Sequence, residues 1–423
     1  MIKTVSSAVG RFTLLRWAVM TVIVGIVAFA QFVPALWSQT GIVRPDLGRV
    51  GRAIPADYFG LTINEIGLKS PWPALSFSGV RLWGAIYWAE FNPAPGVFNW
   101  TRFDAILDVA QRHNVDVIFN LAYTPQWAAS VKDAAPGFSP GASSPPADIR
   151  YWEDFVQAAV KRAAGRIRYW EVWNEPEDPI YYSGDIASMV RLQQRAFEII
   201  KGVDPTLMVI TPSSNGTAKG FRWQEAFLAA GGGKFADILG FHGYWDNPNP
   251  EAMVGIIERF KQLFAAYGLA GKPVWDTEGG WPATLSDPDA QASYVARSYL
   301  LQWSFGVDRF YWYAYEGGGA TWGKLWDRGR GVLAPGIAYR TVYRWLAGSV
   351  ILHELERSGP VWRIELRLQD GRKAIAVWTT GRRMAYASPS GYARLEDLYG
   401  SETPIRGSVE IGPKPVLLIS ARE

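Results

Sequence analysis

Eight short runs of β-branched and aromatic residues recur between residues 59 and 313, and apolar residues at helical spacing separate most of them. In the segment 102–112, for example, Phe103, Ile106, Leu107 and Ala110 fall on one face of a helix. Strand and helix alternating eight times indicate an α/β fold with a closed parallel sheet, the (β/α)8 TIM barrel. The predicted strands are Phe59–Asn64, Gly79–Trp83, Val115–Ala122, Arg168–Trp173, Leu207–Thr211, Ile238–His242, Pro273–Glu278 and Arg309–Tyr313.

The pattern changes after Trp345. Val361–Leu368, Lys373–Trp378 and Pro415–Ile419 are short apolar or alternating runs separated by Gly, Pro and Asp turns, which is typical of antiparallel strands. We therefore predict a barrel over residues 55–345 and a small C-terminal antiparallel β domain, sandwich-like, over residues 346–423. We expect this domain to pack against the barrel; sugar binding is the alternative.

The N-terminal segment carries no charge from Trp17 to Ile42 and is apolar as far as Trp37. This length suffices for a membrane helix, and the cations that precede it favour a cytoplasmic N-terminus. We predict an anchor in residues 1–40, a linker over 41–54 and a catalytic part on the periplasmic, extracytoplasmic side. Two alternatives stay open: Ala28–Ala30 resembles a signal-peptidase site, whose cleavage would release the protein, and the run could be a buried helix.

Composition excludes several classes of function. Lys3, Arg11, Arg16 and Arg44 account for the whole formal charge of +4, so the remainder has no basic excess of the nucleic-acid-binding kind. The chain has no cysteine, which excludes disulfides, thiolate zinc sites and cysteine nucleophiles. It has 21 tryptophans against 3 histidines, and aromatic rings suit the stacking of sugar faces in a cleft.

Two carboxylate motifs carry the candidate chemistry. Tyr169–Pro176 and Pro273–Gly280 each combine an apolar strand with a glutamate at its end, Glu175 and Glu278, followed by Pro or Gly. Catalytic groups of a parallel barrel lie at the carboxyl ends of its strands. Two carboxyls brought together there could cleave a glycosidic bond, one as proton donor and the other as nucleophile. The alternative is a pair of structural salt-bridge carboxylates.

These residues carry a family resemblance. Trp173–Pro176 resembles the acid/base motif of clan A retaining glycoside hydrolases, and Thr277–Gly279, whose glutamate lies 103 residues further along, resembles their nucleophile motif. Further segments resemble the family in the same order: Gly79–Trp83 the second strand with its arginine, Phe241–Tyr244 the sixth strand, and Phe310–Trp312 the eighth. The chain is most similar to glycoside hydrolase family 39, and within it to membrane-associated endoglycosidases of exopolysaccharide systems.

The resemblance implies a role for each candidate residue. Glu175 would be the general acid and Glu278 the nucleophile, kept ionised by Arg81 and Tyr244. The other implied contacts are with the sugar: a hydrogen bond to the 2-hydroxyl from Asn174, a hydroxyl contact from His242, and an aromatic floor from Trp312. The third strand ends Phe119–Tyr123, which does not match the family's sugar contacts, so the sequence predicts no particular sugar.

We therefore expect an O-glycosyl hydrolase that cleaves a β-linked polysaccharide or oligosaccharide, with endo action, that is, cleavage within the sugar chain. An exo-acting β-xylosidase and a non-catalytic component of polysaccharide binding or export are the alternatives. No His-x-x-x-His motif or calcium-type loop stands out, so we expect no metal and no cofactor. The expected partners are the inner membrane and polysaccharide biosynthesis or export machinery, and no nucleic acid.

Overall fold

The computed structural model describes residues 49–66, 70–134, 139–244, 249–282, 284–317 and 322–422. Its central feature is a parallel sheet in which each strand pairs with its neighbours in the chain and the eighth strand pairs with the first. Isolated bridges from Ile210 to Ile238 and from Asn215 to His242 close it between the fifth and sixth strands. The strands are β1 Phe59–Thr62, β2 Gly79–Arg81, β3 Asp116–Leu121, β4 Tyr169–Val172, β5 Met208–Ile210, β6 Leu239–His242, β7 Val274–Gly279 and β8 Arg309–Trp312. The predicted barrel is confirmed.

Helices follow most of the strands. The described α-helices are α1 Trp88–Phe91, α2 Thr101–Arg112, α3 Ile149–Ala163, α4 Ile186–Val203, α5 Ala218–Ala229, α6 Met253–Ala266, α7 Pro288–Ser304 and α8 Ala334–Leu346. Short 3-10 helices cover Ala56–Tyr58, Gly232–Phe235 and Pro250–Ala252. Four helices begin after a side chain whose oxygen accepts a backbone N–H of the first turn, which satisfies a donor the helix leaves unpaired: Asp148, Asp185, Thr217 and Asp287.

The interior of the barrel is arranged in layers. At the amino-terminal ends of the strands, a buried apolar and aromatic cluster fills the space: Ile118, Tyr169, Ile210, Ile238, Trp275 and Tyr311. Side chains two residues apart on a strand share a face, so the position after Tyr169 that also points inward is Glu171. Glu171 is fully buried. The layer above the apolar cluster is therefore polar, and it lies directly beneath the strand ends.

The C-terminal part is antiparallel, as predicted. A short hairpin precedes it between β8 and α8, formed by β9 Trp326–Asp327 and β10 Gly331–Val332. The strands that follow are β11 Val350–Ile351, β12 Glu356–Ser358, β13 Val361–Arg367, β14 Lys373–Thr379, β15 Met384–Ala387, β16 Tyr392–Glu396, β17 Glu402–Pro404, β18 Ser408–Ile411 and β19 Val416–Ser420. The main sheet has the order β11-β13-β14-β19-β16-β17, with β12 paired to β13, and β15 pairs separately with β18.

This β domain is joined to the barrel through buried polar contacts. Trp378 of β14 donates its indole N–H to Glu251 Oε1 at 2.7 Å. Arg297 of α7 donates to both oxygens of the same carboxylate, at 3.0 and 2.9 Å. The three side chains are buried, so the link between the two parts excludes solvent.

The N-terminal anchor predicted for residues 1–40, and most of the linker, lie outside the described residues. Among the helices that the structure does describe, none combines the length and the apolar character needed to span a membrane.

Candidate active site

Glu175 lies in a turn of unusual backbone conformation just after β4. Trp173 and Glu175 have φ angles of 64° and 41°, in the left-handed region that residues other than glycine seldom adopt. The backbone N–H of Glu175 donates to Ser213 O at 3.0 Å, which ties the turn to the segment after β5. Strained backbone of this kind persists where the surrounding structure enforces it, often at functional sites.

Arg81 of β2 is the centre of the site and is fully buried. One terminal nitrogen donates to Glu278 Oε2 at 2.5 Å and the other donates to Asn174 Oδ1 at 2.8 Å. Tyr244 donates its hydroxyl to the second oxygen of Glu278 at 2.9 Å. The structure thus brings four of the predicted site residues together at the carboxyl ends of the strands, around the carboxylate of Glu278.

His242 lies between Arg81 and Glu175. Its Nδ1 is 2.9 Å from Glu175 Oε1 and its Nε2 is 3.4 Å from a terminal nitrogen of Arg81. Because the arginine can only donate, Nε2 must accept and the ring proton must be on Nδ1, pointing at Glu175. Burial lowers the pKa of His242 to about 4, so the ring is neutral at physiological pH. In this structure His242 contacts the carboxyl of Glu175, and its contact with a sugar hydroxyl stays a prediction.

The two glutamates differ in their charged neighbours. Burial raises the pKa of Glu175 to about 7, against the opposing influence of Arg81. Burial also raises the pKa of Glu278, but Arg81 and Tyr244 donate hydrogen bonds directly to its carboxylate and oppose that rise. Since only Glu278 receives the charge-assisted bond from Arg81, it is the carboxyl that ionises first.

The two carboxyls face an open cleft of about 480 Å³. An oxygen of Glu175 and one of Glu278 lie within 4.8 Å of each other, and a nitrogen of His242 lies within the same distance of both. Aromatic and small polar residues surround them: Trp83, Tyr181, Asn215, Gly216, Thr217, Tyr244, Tyr313 and Trp322.

Trp312 lies outside this cleft, contrary to expectation. It is fully buried, packs beside Trp281 with ring centroids 5.4 Å apart, and donates its indole N–H to Gly323 O at 2.7 Å. The reason is the pleat of β8: Tyr311 points into the barrel, so Trp312 points outward to the helices. The next inward position is Tyr313, and its ring lines the cleft.

Glu175, His242 and Glu278 are also the one group within the described residues whose atoms are close enough together to share a metal ion. Glu278 already forms an ion pair with Arg81, and both nitrogens of His242 have partners. A cation would have to compete with a buried guanidinium for these atoms, so the donor set does not fit a metal.

The structure adds residues that sequence reasoning missed. Glu171 lies below Arg81. The sequence signal for it was an acidic residue within the otherwise apolar run of β4. Trp83 and Tyr181 line the cleft, and Trp83 donates its indole N–H to Tyr123 at 3.0 Å. No local motif identifies Tyr181 or Asn215, because loops of different strands bring them to the cleft.

Comparison with known proteins agrees with this geometry. The family model described as Glycosyl hydrolases family 39 matches residues 85–229. No curated protein matches the chain. The predicted resemblance to family 39 and the predicted enzyme class, a glycoside hydrolase, are confirmed by the family match.

Solved structures share the fold at low sequence identity. A family 39 glycoside hydrolase from Bacteroides cellulosilyticus has a TM-score of 0.69 at 19% identity, over 88% of this chain and 83% of the other. A family 39 β-xylosidase from Caulobacter crescentus has a TM-score of 0.64 at 20% identity, over 89% and 99% of the two chains. A family 30 endoxylanase from Clostridium papyrosolvens has a TM-score of 0.60 at 14% identity, over 89% and 99%.

Proposed function

We propose that this protein is a retaining glycoside hydrolase that cleaves a β-linked polysaccharide, with Glu175 as acid/base and Glu278 as nucleophile. The observation that carries the proposal is the approach of the two carboxyls to within 4.8 Å. Retaining enzymes hold their carboxyls about 5–5.5 Å apart, whereas inverting enzymes separate them by about 6.5–9.5 Å to admit a water molecule. The approach of the two carboxyls here agrees with the spacing of retaining enzymes and not with that of inverting ones.

The first step breaks the glycosidic bond. Glu175, protonated below its pKa of about 7, gives its proton to the leaving oxygen. Glu278 attacks the anomeric carbon and forms a glycosyl ester, and the leaving sugar departs as an alcohol. In the second step the ionised Glu175 takes a proton from water, the water oxygen attacks the anomeric carbon, and Glu278 is released as a carboxylate.

The neighbouring residues support both steps. Arg81 and Tyr244 hold Glu278 ionised and oriented before it attacks. Asn174 accepts from Arg81 through its Oδ1, and its amide N–H groups are the donors for the sugar 2-hydroxyl. His242 donates to Glu175 and stabilises the ionised acid that forms in the first step.

We further propose that the enzyme cleaves within an exopolysaccharide chain. The support is the sequence resemblance to endoglycosidases of exopolysaccharide systems. Exo action as a β-xylosidase is the second candidate, favoured by the fold shared with the Caulobacter crescentus β-xylosidase. The products separate the two: oligosaccharides released from cell-envelope polysaccharide indicate endo action, and single xylose units indicate the β-xylosidase. A polysaccharide-binding or export component would release neither.

The mechanism is tested with Glu278→Ala and Glu175→Ala on an activated aryl glycoside and on polysaccharide. Glu278→Ala should abolish turnover of both substrates. Glu175→Ala should retain the first step on the activated substrate, because a good leaving group needs no proton, and should accumulate the glycosyl enzyme. Mass spectrometry after a fluorosugar probe should place the label on Glu278. Label elsewhere, or equal losses for both variants on both substrates, would refute these roles.

We also propose that the N-terminal segment anchors the enzyme in the inner membrane with the barrel on the periplasmic side, near the polysaccharide biosynthesis or export machinery. The support is the uncharged run from Trp17 to Ile42 and the cations before it. The full-length protein should stay with membranes during carbonate extraction, and residues 41–423 should be soluble. Recovery of the intact full-length protein in the cytosolic fraction would contradict the anchor.

A further inference from the structure

Glu171 is a buried carboxylate whose four hydrogen bonds come from four different segments of the barrel. Its Oε2 accepts from Arg81 Nε at 2.7 Å and from Asn120 Nδ2 at 2.6 Å. Its Oε1 accepts from Ser213 Oγ at 2.6 Å and from Thr277 Oγ1 at 2.7 Å. Both oxygens are thus saturated by donors, which leaves Glu171 no atom with which to contact substrate and favours its ionised form.

The guanidinium of Arg81 is planar, so fixing one of its nitrogens fixes the directions of the other two. Glu171 holds Nε at 2.7 Å. The two terminal nitrogens then point at the carboxylate of Glu278 and at the amide oxygen of Asn174, with His242 beside the second. The groups that Arg81 contacts above the polar layer are Glu278, Asn174 and His242, and each has a role in the proposed reaction.

The charges in this layer also depend on Glu171. Arg81 is a single cation between two buried carboxylates, Glu171 and Glu278, and it is shared by both. Without the lower carboxylate, the whole attraction of the guanidinium would fall on Glu278. A fully neutralised carboxylate is harder to protonate and is a weaker nucleophile.

We propose that Glu171 is a positioning residue that fixes the guanidinium of Arg81 and takes up part of its charge, so that Glu278 is oriented yet remains nucleophilic. This inference rests on the proposed retaining hydrolysis. It assigns a role in the reaction to a residue that touches neither the substrate nor the reacting carboxyls, and that acts only through Arg81 and through Thr277, the neighbour of Glu278.

The test compares Glu171→Gln and Glu171→Asp with the wild-type protein on an aryl glycoside, over a range of pH. Glu171→Gln keeps the shape and removes the charge; kcat/KM should fall roughly 10- to 100-fold, since small misplacements at a reacting group have effects of this size. The acid limb of the pH profile of kcat/KM reports the ionisation of Glu278. It should move to lower pH by about one unit, because Glu278 loses a like-charged neighbour and its pKa falls. Glu171→Asp keeps the charge and shortens the reach, so the rate should fall while the acid limb stays in place.

Glu251→Gln is the matched control, because Glu251 is also a buried carboxylate paired with a buried arginine, Arg297, but lies outside the cleft. It should lower the melting temperature without moving the acid limb. An unchanged rate in Glu171→Asp, or an acid limb in Glu171→Gln that does not move, would overturn the proposal. Inactivity of the wild-type protein on every glycoside would instead refute the proposed function.

Discussion

Glu175 and Glu278 have the same side chain and lie within 4.8 Å of each other, but the proposed mechanism needs one protonated and the other ionised. Their immediate neighbours make the difference. Glu278 receives hydrogen bonds from Arg81 and Tyr244, whereas Glu175 receives one from the neutral ring of His242. The roles of the two glutamates thus follow from two side chains beside Glu278 and one beside Glu175, and single substitutions test them.

Replacing His242 with Phe should move the descending limb of the pH profile of kcat/KM to higher pH. Activity requires protonated Glu175, whose pKa is about 7, so the rate should fall above that pH. Phe removes the N–H that stabilises the ionised carboxylate and makes the surroundings less polar, and both effects raise the pKa of Glu175, by about one unit. His353→Phe, at an exposed site, is the control. A limb that stays in place or moves to lower pH would contradict the assigned tautomer.

Replacing Tyr313 with Ala should raise KM about tenfold, because its ring lines the cleft and can stack on a sugar. Trp312→Phe should leave KM near the wild-type value and should only lower the melting temperature, because the indole is buried and bonded to Gly323. Steady-state kinetics and thermal melts of both variants measure this. A higher KM in Trp312→Phe alone would mean that Trp312, not Tyr313, contacts the substrate.

At the scale of secondary-structure elements, one contact between barrel and β domain is made to the carboxylate of a buried ion pair within the barrel. Glu251 follows β6, Arg297 is on α7 and Trp378 is on β14, and the carboxylate of Glu251 joins all three. A buried pair of charges is stable only while both members are present. The hydrogen bond from Trp378 therefore depends on a carboxylate that is stable in the interior only while Arg297 is present.

Arg297→Met should lower the free energy of unfolding by about 3–5 kcal/mol, because it leaves the carboxylate of Glu251 buried without its cation. The double variant with Glu251→Met should recover much of that loss, since two apolar side chains replace the pair. Urea unfolding of the single and double variants measures both effects. If the two losses simply add, the side chains do not form a coupled pair.

Over the whole molecule, the buried carboxyls make stability depend on pH. Burial raises the pKa of Glu175 to about 7 and that of Glu177 to about 8, whereas the value for an exposed glutamate is 4.5. Folding thus favours the protonated forms, and their contribution to stability is complete below pH 4.5 and is lost as the pH rises toward 8. Carboxyls with lowered pKa, such as Asp148 at about 2, finish titrating below this window.

The free energy of unfolding should therefore fall by a few kcal/mol between pH 6.5 and pH 8.5, above the range in which the lowered pKa of His242 acts in the opposite direction. Glu177→Gln should flatten this dependence, because its amide oxygen can still accept from the backbone N–H of Asn215, as Glu177 does at 2.9 Å, without a titrating proton. Chemical denaturation at several pH values tests both statements. Stability that rises across this range would contradict the assigned ionisation states.

The barrel could be predicted from the sequence, because eightfold alternation of strand and helix is a local pattern that favours one architecture, a closed parallel sheet. The two glutamates were accessible because each follows an apolar strand within a specific motif. Trp312 was misplaced because motif matching did not consider the pleat, which decides the face of each residue on β8. Glu171 and Tyr181 were missed because their surroundings come from distant strands and loops, which no local pattern specifies.

The pairing between β5 and β6 has a further consequence, for thermal inactivation. These strands form no continuous ladder: two isolated bridges and four backbone hydrogen bonds join their segments, and the hydrogen bond from His242 to Glu175 crosses the same boundary. Local opening needs the least energy where a ladder is interrupted, so the sheet should separate first at this boundary on heating. Activity should then disappear at a lower temperature than the cooperative unfolding of the barrel. A bound inhibitor that contacts both sides should slow amide hydrogen exchange at Thr211 and Ile238 more than elsewhere in the sheet.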